Sequence, residues 1–346
     1  MIILLSDSLV RIDYRGGVVI KNRIVADGHY SVDTRFISHA HTDHLIDIES
    51  SIKTMKRFVA HKASFELMEA LDIYVPRHLR ASLDYGDKIS VNDDFLRIRR
   101  AKHILGSSLL EYVSSDGRVI VYTGDFKEPG RGTEIIQEPD ILVTEATYGD
   151  PSYVRSFKDF AEDVLIDLVM RLLSRGPIFL YAYYGKQQEI MDILRRGGVI
   201  APFIAPEKVY RLSKIAENHG LKIGDLFHEN SREASEIMRE GWFIYFTHPT
   251  QSSRARIIQK TTSNNDLKPH NLYLTGWLFE TIYKSIDERT YVFSFSDHAD
   301  FQELIDYIEM SRPRLVIVDS FRSGETGKKF AKEIKKRLGI EAIAMP

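Results

Sequence analysis

The sequence predicts a mixed α/β protein of two units, and three observations carry that prediction. The first 150 residues read as short strands punctuated by glycine and aspartate turns. From about residue 151, strands alternate with segments of helical period. Several strand-like runs also end in a ligand or proton-transfer group: "RFISH" in His39, "RVIVYTGD" in Asp125, "DILVTE" in Glu145, "VFSFSDH" in His298 and "RLVIVD" in Asp319. Layered α/β proteins hold catalytic groups just beyond strand ends, where the sheet stiffens the loops. At 346 residues the chain is long enough for two domains.

The elements follow in order. "MIILLSDSLVRI" reads as a first strand, with no basic start and an apolar run too short for a signal peptide or membrane span. "VRIDYRGGVVIKNRIVADG" alternates apolar and polar residues around Gly-Gly and Asp-Gly, the pattern of antiparallel strands. "RFVAH" is strand and "KASFELMEALDI" helix, and "FLRIRRAKH", "SLLEYVSS", "RVIVYTGD" and "DILVTEATYGD" are further strands. "FKDFAEDVLIDLVMRLLSRG" then has helical spacing with a stop at Gly176. "PIFLYAYYGKQQEIMDILRRGG" is strand, glycine turn, helix. "PEKVYRLSKIAENHG", "SREASEIMREG", "WFIYFTH" and "LYLTGW" continue the alternation, which favours a parallel-rich α/β unit. The last segment, from "YVFSFSDHADF" to "KKFAKEIKKRLG", is strand, helix, strand, helix.

Composition limits the function classes. With 43% hydrophobic and 28% charged residues and a formal net charge of −2, nothing draws the whole chain to nucleic acid or membrane, so a polyanion site must be local. The absence of cysteine rules out a disulfide framework and thiolate metal sites and fits a reducing cytoplasm, the expected location.

The densest chemistry lies in "FISHAHTDHL", where three of the chain's 12 histidines fall within six positions. In an extended segment His39, His41 and Asp43 share one side at two-residue spacing. His44 joins them only if the chain turns there, into a helix. Imidazole and carboxylate suit zinc, and to a lesser degree manganese or iron. A hydrophilic loop with chance histidines is the plain alternative.

This HxHxDH stretch, followed in order by His103 in "KHILGSS" and Asp125 in "YTGDF", resembles the signature of the metallo-β-lactamase fold. The further stretches "VTEATYGDP", "YGKQQEI", "LTGW" and "SFSDHADF" resemble its β-CASP nuclease branch, over nearly the whole chain. That resemblance implies an αββα sandwich formed by residues 1–150 and 292–346, with an α/β β-CASP domain inserted at 151–291. It also implies a dinuclear centre: His39, His41 and His103 on one metal, Asp43 and His44 on the other, and Asp125 bridging. Two divalent ions are expected, zinc first and manganese as the alternative. Many RNA-cleaving members carry a late histidine where this chain has Asp319, and DNA nucleases related to Artemis have valine there. Asp319 is counted as a further ligand, against the alternative that it caps the following turn.

The catalytic set implied is Asp43, His298 as general acid to the leaving 3′-oxygen, and Glu145 as the carboxylate orienting His298, with a structural carboxylate binding a backbone amide as the alternative for Glu145. Phosphate contacts are assigned to Lys186, Ser296, Arg254 and Arg256, with a solvated helix face as the bland alternative for the basic ones. Tyr183 and Tyr184 either stack bases or end a strand in the core. The expected partner is single-stranded nucleic acid, DNA favoured and RNA as the alternative, at a narrow cleft between the two domains. No membrane partner is expected, and no protein partner is indicated. The function expected is a 5′-to-3′ DNA exonuclease in repair, resembling ligase-associated exonucleases. An RNA-processing endo- or 5′-exonuclease is the alternative, and a non-catalytic scaffold subunit or a small-molecule hydrolase is more remote.

Overall fold

The computed structural model describes residues 9–262 and 268–346, with the side chains of residues 254 and 260–262 outside that description. Two compact units emerge: the residues up to Val154 together with His298–Pro346, and Arg155–Asp297 between them.

In the first unit the described strands form two sheets. One runs in the order Val10–Ile12, Val18–Ile20, Ile24–Ala26, Thr34–Phe36, Arg57–His61, Arg80–Leu83. The other runs Glu341–Met345, Leu315–Asp319, Ile141–Thr144, Val119–Tyr122, Ser108–Val113, Asp94–Arg100, Lys88–Val91. Side-chain alternation decides the layering. Phe36 and Val59 of the first sheet share one core with Leu96, Leu110, Ile120, Val143 and Ile317 of the second. The intervening Val121, Leu142, Val316 and Val318 face the other way, onto Phe301 and Leu304 of the helix Phe301–Ser311 and Phe330 and Ile334 of the helix Glu325–Leu338. On the outer face of the first sheet, Arg35 reaches Ser51 Oγ of the helix Ile48–Thr54 at 2.8 Å. Helix, sheet, sheet, helix is the αββα sandwich expected.

The strands before His39, His103, Asp125 and His298 all stop earlier than their apolar runs suggest. The run ending in His39 leaves its sheet after Phe36, because the Ser38 amide donates to the Asp27 carboxylate (2.8 Å) rather than to a neighbouring strand. The run ending in His103 stops at Arg100, and the Lys102 and Ile104 amides turn to Thr133 Oγ1 and Ser107 Oγ. The residues so freed are the loops that carry His39, His41 and His103. Of the expected first strand, residues 1–8 lie outside the described set, and Val10–Ile12 is strand.

The second unit holds one sheet in the order Leu226–His228, Phe203–Ala205, Ile244–Thr247, Ile178–Tyr181, His270–Thr275, Thr290–Ser294, Tyr283–Ser285. All neighbours pair in parallel except the last two strands. The helix predicted to stop at Gly176 spans Ala161–Leu173. Gly176 serves a different purpose: a Cβ there would lie 2.5 Å from the Lys268 carbonyl oxygen. Among the described residues no helix is long and apolar enough to cross a membrane.

Candidate metal centre and its acid–base pair

The extended alternation of "HAHTDH" holds only as far as His41. Thr42–His44 is one turn of 3₁₀ helix, and that turn swings His44 inward while leaving the Asp43 side chain 62% exposed. His39 and His44 are buried, as are His103 and Asp125. Gly124 lets Asp125 approach: its φ is +55°, and a Cβ would sit 2.7 Å from Ser38 Cβ.

Three donor sets share Asp125, and two of them draw on the histidines of "HAHTDH". In the first, His41 Nδ1 lies 3.1 Å from His39 Nε2 and 3.0 Å from His103 Nε2. Asp125 Oδ2 is 3.6 Å from His39 Nε2 and 3.7 Å from His103 Nε2. In the second, His44 Nε2 is 3.1 Å from Asp125 Oδ2 and 3.5 Å from Asp43 Oδ2. Besides these two groups, Asp27 lies close to His39 and His44, and Asp125 close to Glu145 and His298.

These residues fit divalent metal ions on two grounds. A tetrahedral ion bound at about 2.0–2.1 Å separates its ligand atoms by roughly 3.3 Å, and the first set spans 3.0–3.7 Å. Moreover, His44 Nε2 is buried and faces Asp125 Oδ2 at 3.1 Å and Asp43 Oδ2 at 3.5 Å, the two carboxylates of the second set. Its other nitrogen, Nδ1, lies 2.7 Å from Asp27 Oδ2. A carboxylate on Nδ1 fixes the proton there and leaves the Nε2 lone pair for a metal.

Charge balance follows the same layout. Burial, joined by His44, His103 and His41, drives His39 well below the ordinary imidazole range, so it is held as the neutral ligand. Burial opposes ionisation of Asp125, yet His44 and His298 outweigh it and keep the carboxylate well below its usual range. Burial lowers His44, but Asp125 and Asp27 more than offset that and pull it up to about 10. That value belongs to the metal-free cluster.

Asp27 has no counterpart among the residues singled out from sequence. It is fully buried and accepts from Ser38 N, Ser38 Oγ, Tyr122 Oη (2.9 Å) and His44. The signal was present: "IVADG" is one more strand-like run ending in an acid, masked by an Asp-Gly turn reading.

His298 and Glu145 meet beside this centre. His298 Nδ1 is 3.1 Å from Glu145 Oε2 and 3.9 Å from Asp125 Oδ2, and the His298 ring packs edge-on to His103 with centroids 4.7 Å apart. Glu145 Oε1 accepts from the Phe126 amide at 2.9 Å, which orients the carboxylate. Burial raises the Glu145 pKa, Asp125 adds to the rise, and His298 works against it.

Asp319 is not gathered into these clusters. Its Oδ2 accepts from Arg322 at 2.6 Å, and its Oδ1 accepts from the Arg322 amide at 3.3 Å, which caps the short helix Ser320–Ser323. Arg322 also donates to the carbonyls of Gly16 (3.2 Å), Asp27 (2.7 Å) and Asp43 (3.3 Å). Within the second unit, Lys186 is buried with its ammonium 3.1 Å from Asp297 Oδ1. Ser296 is half-buried and Arg256 exposed, while the Arg254 side chain lies outside the described residues.

Comparison with known proteins adds to this geometry. Residues 285–346 match a model described as a Zn-dependent metallo-hydrolase RNA specificity domain. An "Uncharacterized protein in lig 3'region" of Acidianus ambivalens is 42% identical over 139 residues, 40% of this chain and 99% of that protein. A "Probable DNA ligase" of Opitutus terrae is 26% identical across 92% of this chain, which spans 29% of the ligase. A "Probable RNase MJ4" of Methanocaldococcus jannaschii is 25% identical across 87% of this chain and 84% of its own length. In fold, a crystal structure of a protein of unknown function from Enterococcus faecalis aligns with a TM-score of 0.55 at 13% identity, over 84% of this chain and 77% of that one.

Proposed function

The chain belongs to the β-CASP nuclease branch of the metallo-β-lactamase superfamily, and from that premise we propose that it cuts single-stranded nucleic acid, preferring DNA and working from a 5′ end. It is a metal-dependent hydrolase. The observation that carries the reading is the convergence of two donor sets on Asp125 with the His298–Glu145 pair 3.9 Å away.

His39, His41, His103 and Asp125 would hold one ion, and Asp43, His44 and Asp125 a second, with zinc the expected metal. Bound there, divalent ions supply Lewis acidity toward water and the phosphodiester oxygens. The protein's own groups do the rest. Asp27 fixes the His44 tautomer, and Ser38 Oγ, 2.9 Å from His39 Nδ1, orients the second buried imidazole. Hydrolysis adds water to phosphorus and breaks the P–O3′ bond, so the departing O3′ needs a proton. His298 delivers it, held by Glu145 and 20% exposed at the edge of the centre.

Support for DNA comes from the ligase relative, which aligns along 92% of the chain. RNA processing is the second reading, favoured by the matched RNA specificity domain and by the RNase relative. A cleavage time course separates them, using matched single-stranded DNA and RNA oligonucleotides, 5′-phosphorylated and 3′-labelled, with EDTA and Asp125→Ala controls. Metal-dependent, progressive shortening of DNA from its 5′ end supports the proposal. Selective loss of RNA or internal cuts move the assignment to RNA processing, and no cleavage of either refutes a nuclease.

A further inference from the structure

One edge of the second unit's sheet carries chemistry the metal centre does not use. Three adjacent strands, Ile244–Thr247, Ile178–Tyr181 and His270–Thr275, run parallel; the first two end level, with Thr247 opposite Tyr181, and the third continues two residues past its pairing with Tyr181, to Thr275. Just beyond their ends lie His248, Tyr183 and Trp277. Tyr183 is 54% exposed and Trp277 60% exposed, so both rings present flat apolar surface to solvent. Tyr183 does not flop freely there: the His248 ring packs against it at 82° with centroids 4.4 Å apart, and His248 Nδ1 is in turn 2.7 Å from Thr250 Oγ1.

Positive charge surrounds the aromatics. Lys208 is exposed, with its ammonium 5.2 Å from the Tyr184 ring, and its charge together with burial lowers the His248 pKa. Arg256 is exposed on the helix Ser252–Thr262, near enough to Tyr181 for its charge to act on that phenol. The one carboxylate at the start of the neighbouring helix, Glu207, is paired with His228 at 3.1 Å. The helices Lys186–Arg196 and Glu207–Asn218 begin at this same edge, and their N-terminal ends favour phosphate.

We propose that this edge is a sequence-independent stacking platform for single-stranded nucleic acid: Tyr183 and Trp277 take base faces, His248 buttresses Tyr183, and Lys208 and Arg256 meet phosphates. Flat rings interleaved with exposed cations at the C-terminal ends of parallel strands match the base stacking and phosphate contact that a single strand requires. Three strands span about 10 Å, room for two or three bases at roughly 3.4 Å per step. The choice of polymer rests on the nuclease reading above.

Tryptophan emission tests the platform, because the chain has only two tryptophans and Trp277→Phe identifies the reporting one. The full, metal-loaded chain is titrated with a phosphorothioate-linked eight-residue oligothymidylate, which resists hydrolysis. Binding should quench the emission, and Trp277→Phe should abolish the signal while keeping affinity. Tyr183→Ala and Trp277→Ala should each raise Kd about tenfold, and Tyr183→Phe should stay near wild type. On a cleavable strand, KM should rise in step while kcat stays within about twofold. Unchanged Kd and KM in the Tyr183→Ala/Trp277→Ala double variant, with wild-type cleavage intact, overturn the platform alone. A wild-type protein that neither binds nor cuts any oligonucleotide removes the nuclease reading as well. Self-association that shields Trp277, without oligonucleotide binding, reassigns the edge to a protein contact.

Discussion

At the scale of single residues, burial and neighbouring charge hold His39 as neutral imidazole and Asp125 as carboxylate, the states a metal ligand requires. Asp27 acts through another ligand: it touches no proposed metal atom, yet it decides which nitrogen of His44 is free. Asp27→Asn keeps the volume but puts an amide among donors from Ser38 and Tyr122 and weakens the hold on His44 Nδ1. Metal affinity should fall about 10- to 100-fold, measured by competition against a chromogenic chelator, and unchanged affinity would remove Asp27 from this role. His298 makes the opposite prediction. His298→Ala should retain full metal content while cleavage drops roughly 10²- to 10⁴-fold, and Glu145→Gln should fall in the same direction by less. Full activity in a well-folded His298→Ala protein would overturn the proton-donor assignment.

At the scale of elements, strands were legible and their ends were not. Unbroken apolar runs in "RVIVYTGD" and "RLVIVD" mark strands buried on both faces, since Ile120 and Ile317 face one core while Val121 and Val318 face another. The spacing of His39, His41, His103 and Asp125 was readable because ligand chemistry restricts residue types. Less visible was anything that depends on a local turn: the 3₁₀ turn at Thr42–His44, the Asp319–Arg322 pair formed across three residues, and the burial of Lys186 against a carboxylate distant in sequence. Asp94, at the start of the strand Asp94–Arg100, shows how such ties hold an element. Its buried carboxylate accepts from Tyr112 Oη and Ser115 N and lies 3.1 Å from Arg23. Burial opposes its ionisation, but those two hydrogen bonds and the cations Lys21 and Arg23 win and lower its pKa. Its contribution to stability is therefore complete above the ordinary carboxylate pKa of about 3.9 and is lost as pH falls through the lower folded value. Asp94→Asn should cost about 2 kcal/mol near neutral pH, and the gap from wild type in thermal melts should close below about pH 4. A gap independent of pH would show that packing, not charge, is what Asp94 supplies.

At the scale of the whole chain, the first unit is assembled from two pieces that flank the second, and Arg322 is where the later piece grips the earlier one. Its guanidinium reaches the carbonyls of Gly16, Asp27 and Asp43 in three separate turns, while Asp319 from its own piece balances the charge at 2.6 Å. Burial disfavours the cation, and Tyr122, Asp319 and Asp27 outweigh burial, so it stays charged. Removing it strands a buried carboxylate and releases three carbonyls at once. Arg322→Met should therefore cost about 3–5 kcal/mol in thermal or urea unfolding. Arg322→Lys should recover only part, because a point ammonium lacks the planar fork that spans several acceptors. The informative variant is the double one. With Asp319→Asn added, no charge is left unpaired, so Arg322→Met/Asp319→Asn should be less damaged than Arg322→Met alone. Were Asp319 instead held by a metal, removing it would not relieve the loss of Arg322 and would lower the bound metal content. Unfolding and metal analysis on the same three proteins thus decide whether Asp319 serves the clamp or the centre.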